Sequence, residues 1–234
     1  MKNEKRFDTM KKMTMKERMM AVIQGEEHDQ VPFAMYEIMF PKEQAFEVLG
    51  KDRIGIIRFS PIYRVEHPNC HFKSEIFYEN GSKMEHNSLI TPKGKLEEIR
   101  IFEPAYDSST TKKHYIQTPA DYEIFWSYLD DCIILDNYEH YLQDCAELGE
   151  TGLAKAEVER SPYQQLWIEW VGLEGLSIHL AEFPDHVEET ILRLNKRARK
   201  TFEIAYYSPA PFIDIPDNIT AALPNMEKST HTFG

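Results

Sequence analysis

The segment Ala210-Pro211-Phe212-Ile213-Asp214-Ile215-Pro216-Asp217-Asn218 says most about the architecture of this chain. It is a short apolar run with alternating faces, and Pro216 stops it. A long amphipathic helical pattern opened by Pro184 leads into it. A helix that hands over to such a run reads as one step of a parallel βαβ sheet. In sheets and barrels of that kind, chemistry collects at the carboxyl ends of the strands. Here that end presents Asp214, Asp217 and Asn218.

Further from this segment, three more runs read as core strands, near residues 31–36, 54–59 and 153–158. A closed (β/α)8 barrel takes eight strands and typically ~250 residues. The expectation is therefore an α/β fold, an incomplete (β/α)8 TIM-type barrel over residues 14–220. A basic leader over 1–13 precedes it and an irregular tail over 221–234 follows. So little follows Asn218 that the chain is expected to stop at its own active-site edge.

One stretch breaks the α/β rhythm. Phe72–Glu79 and Ser82–Ile90 alternate on either side of Asn80-Gly81, a strong hairpin signal. Thr91-Pro92-Lys93-Gly94 then turns the chain into a third alternating run, Lys95–Phe102. This predicts a three-stranded antiparallel meander inserted at 72–102, with an exposed loop over 103–113.

Helix starts are marked as well. Thr14-x-x-Glu17 is a capping box and Gly25 a terminator. Thr118-Pro119-Ala120-Asp121 places a cap, a proline and an acid in order. In the last long helix Asp185, Glu188 and Glu189 come early, and Arg193, Lys196, Arg197, Arg199 and Lys200 later. That order suits the helix dipole and accounts for the basic cluster without nucleic acid.

Composition narrows the function. Lys and Arg number 27 against 39 Asp and Glu, a net charge of −12. Phosphate-backbone binding needs clustered cations, so nucleic acid is not the expected partner. No run approaches the ~18 apolar residues of a membrane helix. The start carries charge and no apolar signal stretch, so it is no secretory leader. Cys70, Cys132 and Cys145 form no CxxC pattern, which fits reduced thiols in a cytoplasmic protein.

Several motifs together resemble one family. Met13-Thr14-Met15-Lys16-Glu17-Arg18, Ala21, Gly25-Glu26 and Val31-Pro32 resemble the opening helix and first strand of the uroporphyrinogen decarboxylase superfamily. Thr91-Pro92-Lys93-Gly94, Thr118-Pro119-Ala120-Asp121-Tyr122 and Gly172-Leu173-Glu174-Gly175-Leu176, followed by Phe183-Pro184-Asp185, extend the likeness. That family consists of (β/α)8 barrels and includes uroporphyrinogen decarboxylases and corrinoid-dependent methyltransferases. The Thr-Pro-x-Gly turn with its hairpin looks more like the methyltransferase-like branch.

The resemblance implies a small-molecule or tetrapyrrole ligand and a corrinoid protein as partner, and it leaves room for an oligomer. It also implies a zinc held by His and Cys in a C-terminal part that this sequence does not contain. No cofactor is thus expected on these residues. Decarboxylases of the family carry an Arg-rich, Gly-containing loop after the first strand. Here that position reads Tyr36-Glu37-Ile38-Met39-Phe40-Pro41, and Arg58-Phe59-Ser60 stands where an early catalytic Asp belongs. The expected function is corrinoid-dependent methyl transfer involving a small molecule. Uroporphyrinogen decarboxylation is the alternative, and a truncated non-catalytic or split subunit a third.

Asp217, Asp214 and Glu157 are the candidate catalytic residues. Asp214 lies opposite Ile213 and Ile215, toward the expected barrel interior, where a carboxylate can position substrate or handle a proton. Asp217 sits in the loop beyond and comes before Asp214 as a carboxylate for substrate positioning or proton handling, given where barrel sites lie. Capping of a backbone turn is the alternative for either. Glu157 and Glu159 share a strand face with Lys155, opposite Ala154, Ala156 and Val158. Charges on an interior face must pair or meet a cavity. Arg58 is a candidate partner for them, or an anchor for a ligand carboxylate. Tyr36, Glu37, Arg58, Glu159 and Asn218 complete the candidate substrate-binding set. His67-x-x-Cys70-His71 lacks the distant second pair of a zinc site. Trp126, Trp167 and Trp170 read as core.

Overall fold

The computed structural model describes residues 12–39, 42–103 and 108–217. In chain order its strands are β1 (Ala34–Tyr36), β2 (Gly55–Phe59), β3 (Tyr63–Glu66), β4 (His71–Glu79) and β5 (Ser82–Thr91). They continue as β6 (Gly94–Glu103), β7 (Ser108–Lys113), β8 (Ile133–Asp136), β9 (Gly152–Glu157) and β10 (Ile213–Asp214). The helices are α1 (Met15–Gln24), α2 (Lys42–Leu49), α3 (Pro119–Asp130), α4 (Tyr138–Leu148), α5 (Pro162–Gln165), α6 (Leu173–Glu182) and α7 (Pro184–Tyr207). Two compact units form. Unit 1 takes Met1–Asn69, Tyr128–Glu159 and Lys196–Asp214, and unit 2 takes Cys70–Ser127, Arg160–Asn195 and Ile215–Gly234.

Unit 1 is built on a four-stranded sheet in the order β1-β2-β9-β10, with every pairing parallel. Its members are the apolar runs near 31–36, 54–59, 153–158 and 212–215. Ile57 pairs with Leu153 and Phe59 with Lys155. Alternation along the strands then divides the side chains between two faces. On one face Leu153, Ala34 and Ile57 pack under Met15 and Met19 of α1. On the other, Ile56, Ala154 and Ala156 pack with Tyr141 and Leu148 of α4 and Ala205 of α7. At Gly152, β9 passes close against β2. A Cβ there would lie 2.2 Å from the Ile56 carbonyl oxygen.

The barrel expectation is not met. A (β/α)8 barrel adds each new parallel strand beside the last through a helix. Between β2 and its neighbour β9 this chain instead inserts six strands, every one paired antiparallel. β3 pairs β8, with Tyr63 opposite Asp136 and Glu66 opposite Ile133. β4 to β7 form a sheet of their own. Among the described residues the fold is mixed α/β, with one four-stranded parallel sheet and two antiparallel ones in place of the expected barrel.

The α1 terminus follows its sequence signature. Thr14 Oγ1 accepts from the Glu17 N–H at 3.1 Å, and Glu17 Oε2 accepts from the Thr14 N–H at 2.7 Å. Arg18 of this helix is 3% exposed. Its guanidinium grips Asp29 through Nε to Oδ1 at 2.6 Å and Nη2 to Oδ2 at 2.9 Å. The Arg18 hydrogen bonds hold the Asp29 carboxyl well below the usual carboxylate range, against burial. A depressed folded pKa adds stability above the unfolded value and loses it as pH falls toward the folded one. Urea unfolding of the wild type is therefore expected to weaken from about pH 4 downward. Asp29→Asn is expected to flatten part of that acid slope and to lose about 2 kcal/mol at neutral pH. An unchanged slope would remove Asp29 from the explanation.

Unit 2 carries the meander, which has four strands rather than three. Asn80 (φ 52°) and Gly81 (φ 80°) make the two-residue turn between β4 and β5, with Glu79 opposite Ser82. Thr91 pairs with Gly94 at the next turn, and its Oγ1 accepts from the Lys93 N–H at 3.1 Å. Part of the expected 103–113 loop is strand β7, whose Ser108–Lys113 stretch pairs with β6 across a register shift at Ile99/Arg100. Its burial alternates along SSTTKK without any apolar residue, so hydrophobic periodicity could not reveal it. Ile116, Tyr122, Phe125 and Leu166 are fully buried in this unit. Tyr122 Oη and His179 Nδ1 share a hydrogen bond at 2.9 Å. Burial pushes the His179 imidazole pKa down. Among the described residues, no helix is long and apolar enough to cross a membrane.

Candidate ligand site at the strand ends

The carboxyl ends of β1, β2, β9 and β10 bring five side chains onto one face of the unit 1 sheet. The register places Tyr36 beside Ile57, Phe59 beside Lys155 and Asp214 beside Glu157. The half of this face nearer the strand starts lies under α1. The half nearer the strand ends carries Tyr36, Phe59, Lys155, Glu157 and Asp214.

Lys155 is the hub. It is 9% exposed, yet its Nζ reaches Asp214 Oδ2 at 2.6 Å and Glu157 Oε2 at 2.8 Å. The same ammonium lies 4.4 Å from the Phe59 ring centre and 5.4 Å from that of Tyr36. Those two rings stack, with centroids 4.9 Å apart and planes 11° from parallel. Aromatic faces attract a desolvated cation, so the rings and the carboxylates act together on Lys155. Burial lowers the ammonium pKa, but Asp214 and Glu157 outweigh it and raise the pKa above the ordinary lysine value. Lys155 is thus a fixed cation at neutral pH, not an amine nucleophile. The Asp214 side chain is 40% exposed and that of Glu157 34%, so solvent or a ligand can reach the outer carboxylate oxygens.

Arg58 belongs elsewhere. One residue before Phe59, it points to the opposite, helix-covered face. There Nε meets Glu37 Oε2 at 2.6 Å and Nη2 meets Glu37 Oε1 at 3.0 Å. Its Nη1 reaches Asp144 at 3.0 Å and Glu147 at 2.8 Å, both on α4. Ser60 Oγ donates to the second Asp144 oxygen at 2.7 Å. Glu37 and Arg58 are partners of one another, not of Lys155. Glu159 lies beyond the end of β9, and its carboxylate is forked by Arg197 with Nε at 2.8 and 2.9 Å. It does not share the Lys155 cluster.

Asp217 lies in unit 2. Its Oδ1 accepts from the Ser161 N–H at 2.8 Å, at the residue that opens α5. This is the backbone-capping role. Asn218 lies outside the described residues. The alternation of β9 and β10 brings Glu157 and Asp214 together, and Tyr36 of β1 lies on the same face. The central position of Lys155 and the contribution of Phe59 emerge only from the structure. The sequence does hold a signal for the second, because Phe59 precedes the polar Ser60 at the end of an otherwise apolar run.

His67 stacks on Tyr128 at 4.1 Å between ring centres, and burial lowers its pKa. Among the described residues, no group of three or more His, Cys, Asp and Glu side chains could hold a metal ion. Comparisons with protein-family models, with curated proteins and with solved structures return no match.

Proposed function

We propose that unit 1 binds a small molecule over the carboxyl ends of its parallel strands, and that the bound molecule takes part in corrinoid-dependent methyl transfer. The observation that carries the binding reading is Lys155, held between Glu157 and Asp214 under the stacked Tyr36 and Phe59 rings. Parallel sheets bind ligands at this edge because strand ends and loops converge there. The half-exposed carboxylates offer acceptors to a ligand N–H or O–H, and the two rings offer an apolar wall. The methyl-transfer part rests on the resemblance to the methyltransferase-like branch of the uroporphyrinogen decarboxylase superfamily. In that reading a corrinoid on a partner protein supplies the methyl group. These residues bind and orient the small molecule, and the thiol-activating zinc is assigned to none of them.

The charge at the edge favours this reading over decarboxylation of a polycarboxylate. Lys155 is answered by two acids, and Arg58 by Glu37, Asp144 and Glu147 on the other face. A ligand carrying several carboxylates would meet net negative charge and, among the described residues, no guanidinium of this face at the strand ends. A third reading, that the chain is a non-catalytic component of an assembly, draws on exposed apolar residues flanking edge strand β1. Val31 is 84% exposed and Ile38 79%.

Thermal melts of the full chain with methylcobalamin, with uroporphyrinogen and with neither test the proposal. At about a hundredfold excess over Kd, a ligand of the folded state is expected to raise Tm by about 5–10 °C. The expected result is a shift with methylcobalamin, the methyl donor that must reach the strand-end edge, and a smaller shift in Lys155→Met, which disturbs that edge without being the corrinoid's own holder. A shift with uroporphyrinogen alone would favour decarboxylation. No shift with either, together with self-association on a sizing column, would favour the assembly component.

A further inference from the structure

Unit 2 contains a cavity lined by charged and aromatic side chains, independent of the strand-edge reading. Alternation along β6 puts Leu96, Glu98 and Arg100 on one face. Glu98 is 5% exposed, although it carries a carboxylate. It accepts from the Nδ2 of its cross-strand partner Asn87 at 3.0 Å and lies 3.3 Å from Arg100 Nη1. Arg100 Nε also donates to Ser109 Oγ at 2.9 Å, which fixes the guanidinium against β7. These two side chains line a cavity of about 370 Å³.

An uncommon piece of backbone lines the same cavity. Leu166–Trp170 is π-helical, and the Val171 N–H donates to the Leu166 carbonyl five residues back at 2.8 Å. One extra residue in a helical turn costs regular hydrogen bonding, and such turns recur at functional sites. Here the turn brings Ile168, Glu169 and Trp170 to the cavity. Tyr115 leans on Trp170, with ring centres 5.3 Å apart and planes at 42°. Arg160 Nε lies 3.3 Å from Glu169 Oε1. Gly172, just past the turn, has φ +85°, and a Cβ there would lie 2.5 Å from the His114 ring. The backbone is thus confined just past the turn.

The lining defines the ligand. Two guanidiniums and two carboxylates balance, so a charged molecule gains no net Coulomb attraction. Paired opposite charges instead offer acceptors beside donors, which suits a neutral molecule with N–H next to C=O. Tyr115 and Trp170 add aromatic surface for a flat ring. The volume falls in the range of small-molecule pockets, ~300–1,000 Å³. We propose that this cavity binds a neutral planar heterocycle with adjacent N–H and C=O groups, held edge-on by Glu98, Arg100, Arg160 and Glu169 and set against Tyr115, which Trp170 backs.

The test is methyl NMR of the full chain with isoleucine δ1 labels, titrated at slightly acid pH with lumazine, an uncharged pteridine-dione. Benzoate and benzylamine serve as an anionic and a cationic aromatic of similar width. Lumazine is expected to move the Ile168 methyl signal saturably and more tightly than either ion. Glu98→Gln is expected to weaken lumazine by about tenfold or more, since it removes a charged acceptor. Ile168→Trp fills the cavity and is expected to abolish the shift response of the remaining signals while the melt stays cooperative. No saturable shift with lumazine overturns the proposal, and so does equal or tighter binding of benzoate or benzylamine. If Glu98→Gln fails to fold, Ile168→Trp decides alone, and lumazine affinity retained in that variant overturns the site.

Discussion

Arg58→Met is expected to lower the stability of the chain by about 3 kcal/mol, read as a fall in urea midpoint at pH 7 with an unchanged slope. Arg58 joins three carboxylates, and the burial of each decides how much it matters. The Asp144 side chain is 10% exposed and that of Glu37 25%, whereas that of Glu147 is 50% exposed. A solvated pair contributes little, so Glu147→Gln is expected to leave the midpoint nearly unchanged. Asp144 is different. Without Arg58 it keeps Ser60 Oγ and His140 Nε2 at 3.5 Å, and a charge largely out of water loses its main counter-ion. Removing one member of a buried pair is worse than removing both. The double variant Arg58→Met with Asp144→Leu is therefore expected to regain part of the loss. A double variant as unstable as the sum of its parts would show that packing, not charge, sets the cost. The guanidinium pKa is raised, first by its bond to Glu37, so Arg58 stays charged throughout this experiment.

Gly152→Ala is expected to be the most damaging single methyl in unit 1, at about 3 kcal/mol or more. The added Cβ would lie 2.2 Å from the Ile56 oxygen and 2.8 Å from the Ile56 Cβ. Neither is the end of a flexible chain. Relief requires β2 and β9 to separate where the Ile56 N–H also bonds the Thr151 carbonyl at 3.1 Å. Hydrogen exchange at Ile56 and Leu153 is expected to accelerate more than exchange in the meander. Wild-type protection on β2 in the Gly152→Ala variant would mean the strands slide apart at no cost. Gly25→Ala is a useful contrast, since nothing lies within 4 Å of a Cβ there and the cost comes from the backbone angle alone.

The sequence showed the four parallel strands and three strands of the meander, but not β3, β7 or β8. Runs such as Gly55-Ile56-Ile57 are apolar on both faces, the mark of a sheet buried on both sides, and they do form the parallel sheet. Tyr63-Arg64-Val65-Glu66 alternates and Ile133-Ile134-Leu135 is an apolar run, but each strand is only four residues long, and neither names the other as its antiparallel partner. Pairing between segments so far apart is set by tertiary packing, which local periodicity does not encode. That is why four parallel strands read as part of a barrel, while the structure turns the intervening chain into antiparallel sheets.

The candidate site divides in the same way. Glu157 and Asp214 follow from alternation, because the expected and observed strands agree there to within a residue. Arg58 lies on the expected strand but on the other face, since its side is fixed only once Phe59 is known to pair with Lys155. Glu159 seemed to extend the β9 face, but the strand ends at Glu157 and the chain turns toward Arg197. A face assigned past the end of its strand carries no information.

The position of Gly152 beside Ile56 also dictates an order of events. Every residue of β3 to β8 is strung between these two neighbours, so their meeting closes a long loop and carries its entropy. β4 and β5, by contrast, are joined by two residues and can pair as soon as they exist. Chains dominated by such distant pairings fold slowly, and local hairpins run ahead of them. In refolding, the meander is expected to gain its protection before Ile56 and Leu153 do, so that binding at the strand ends follows late closure of the parallel sheet.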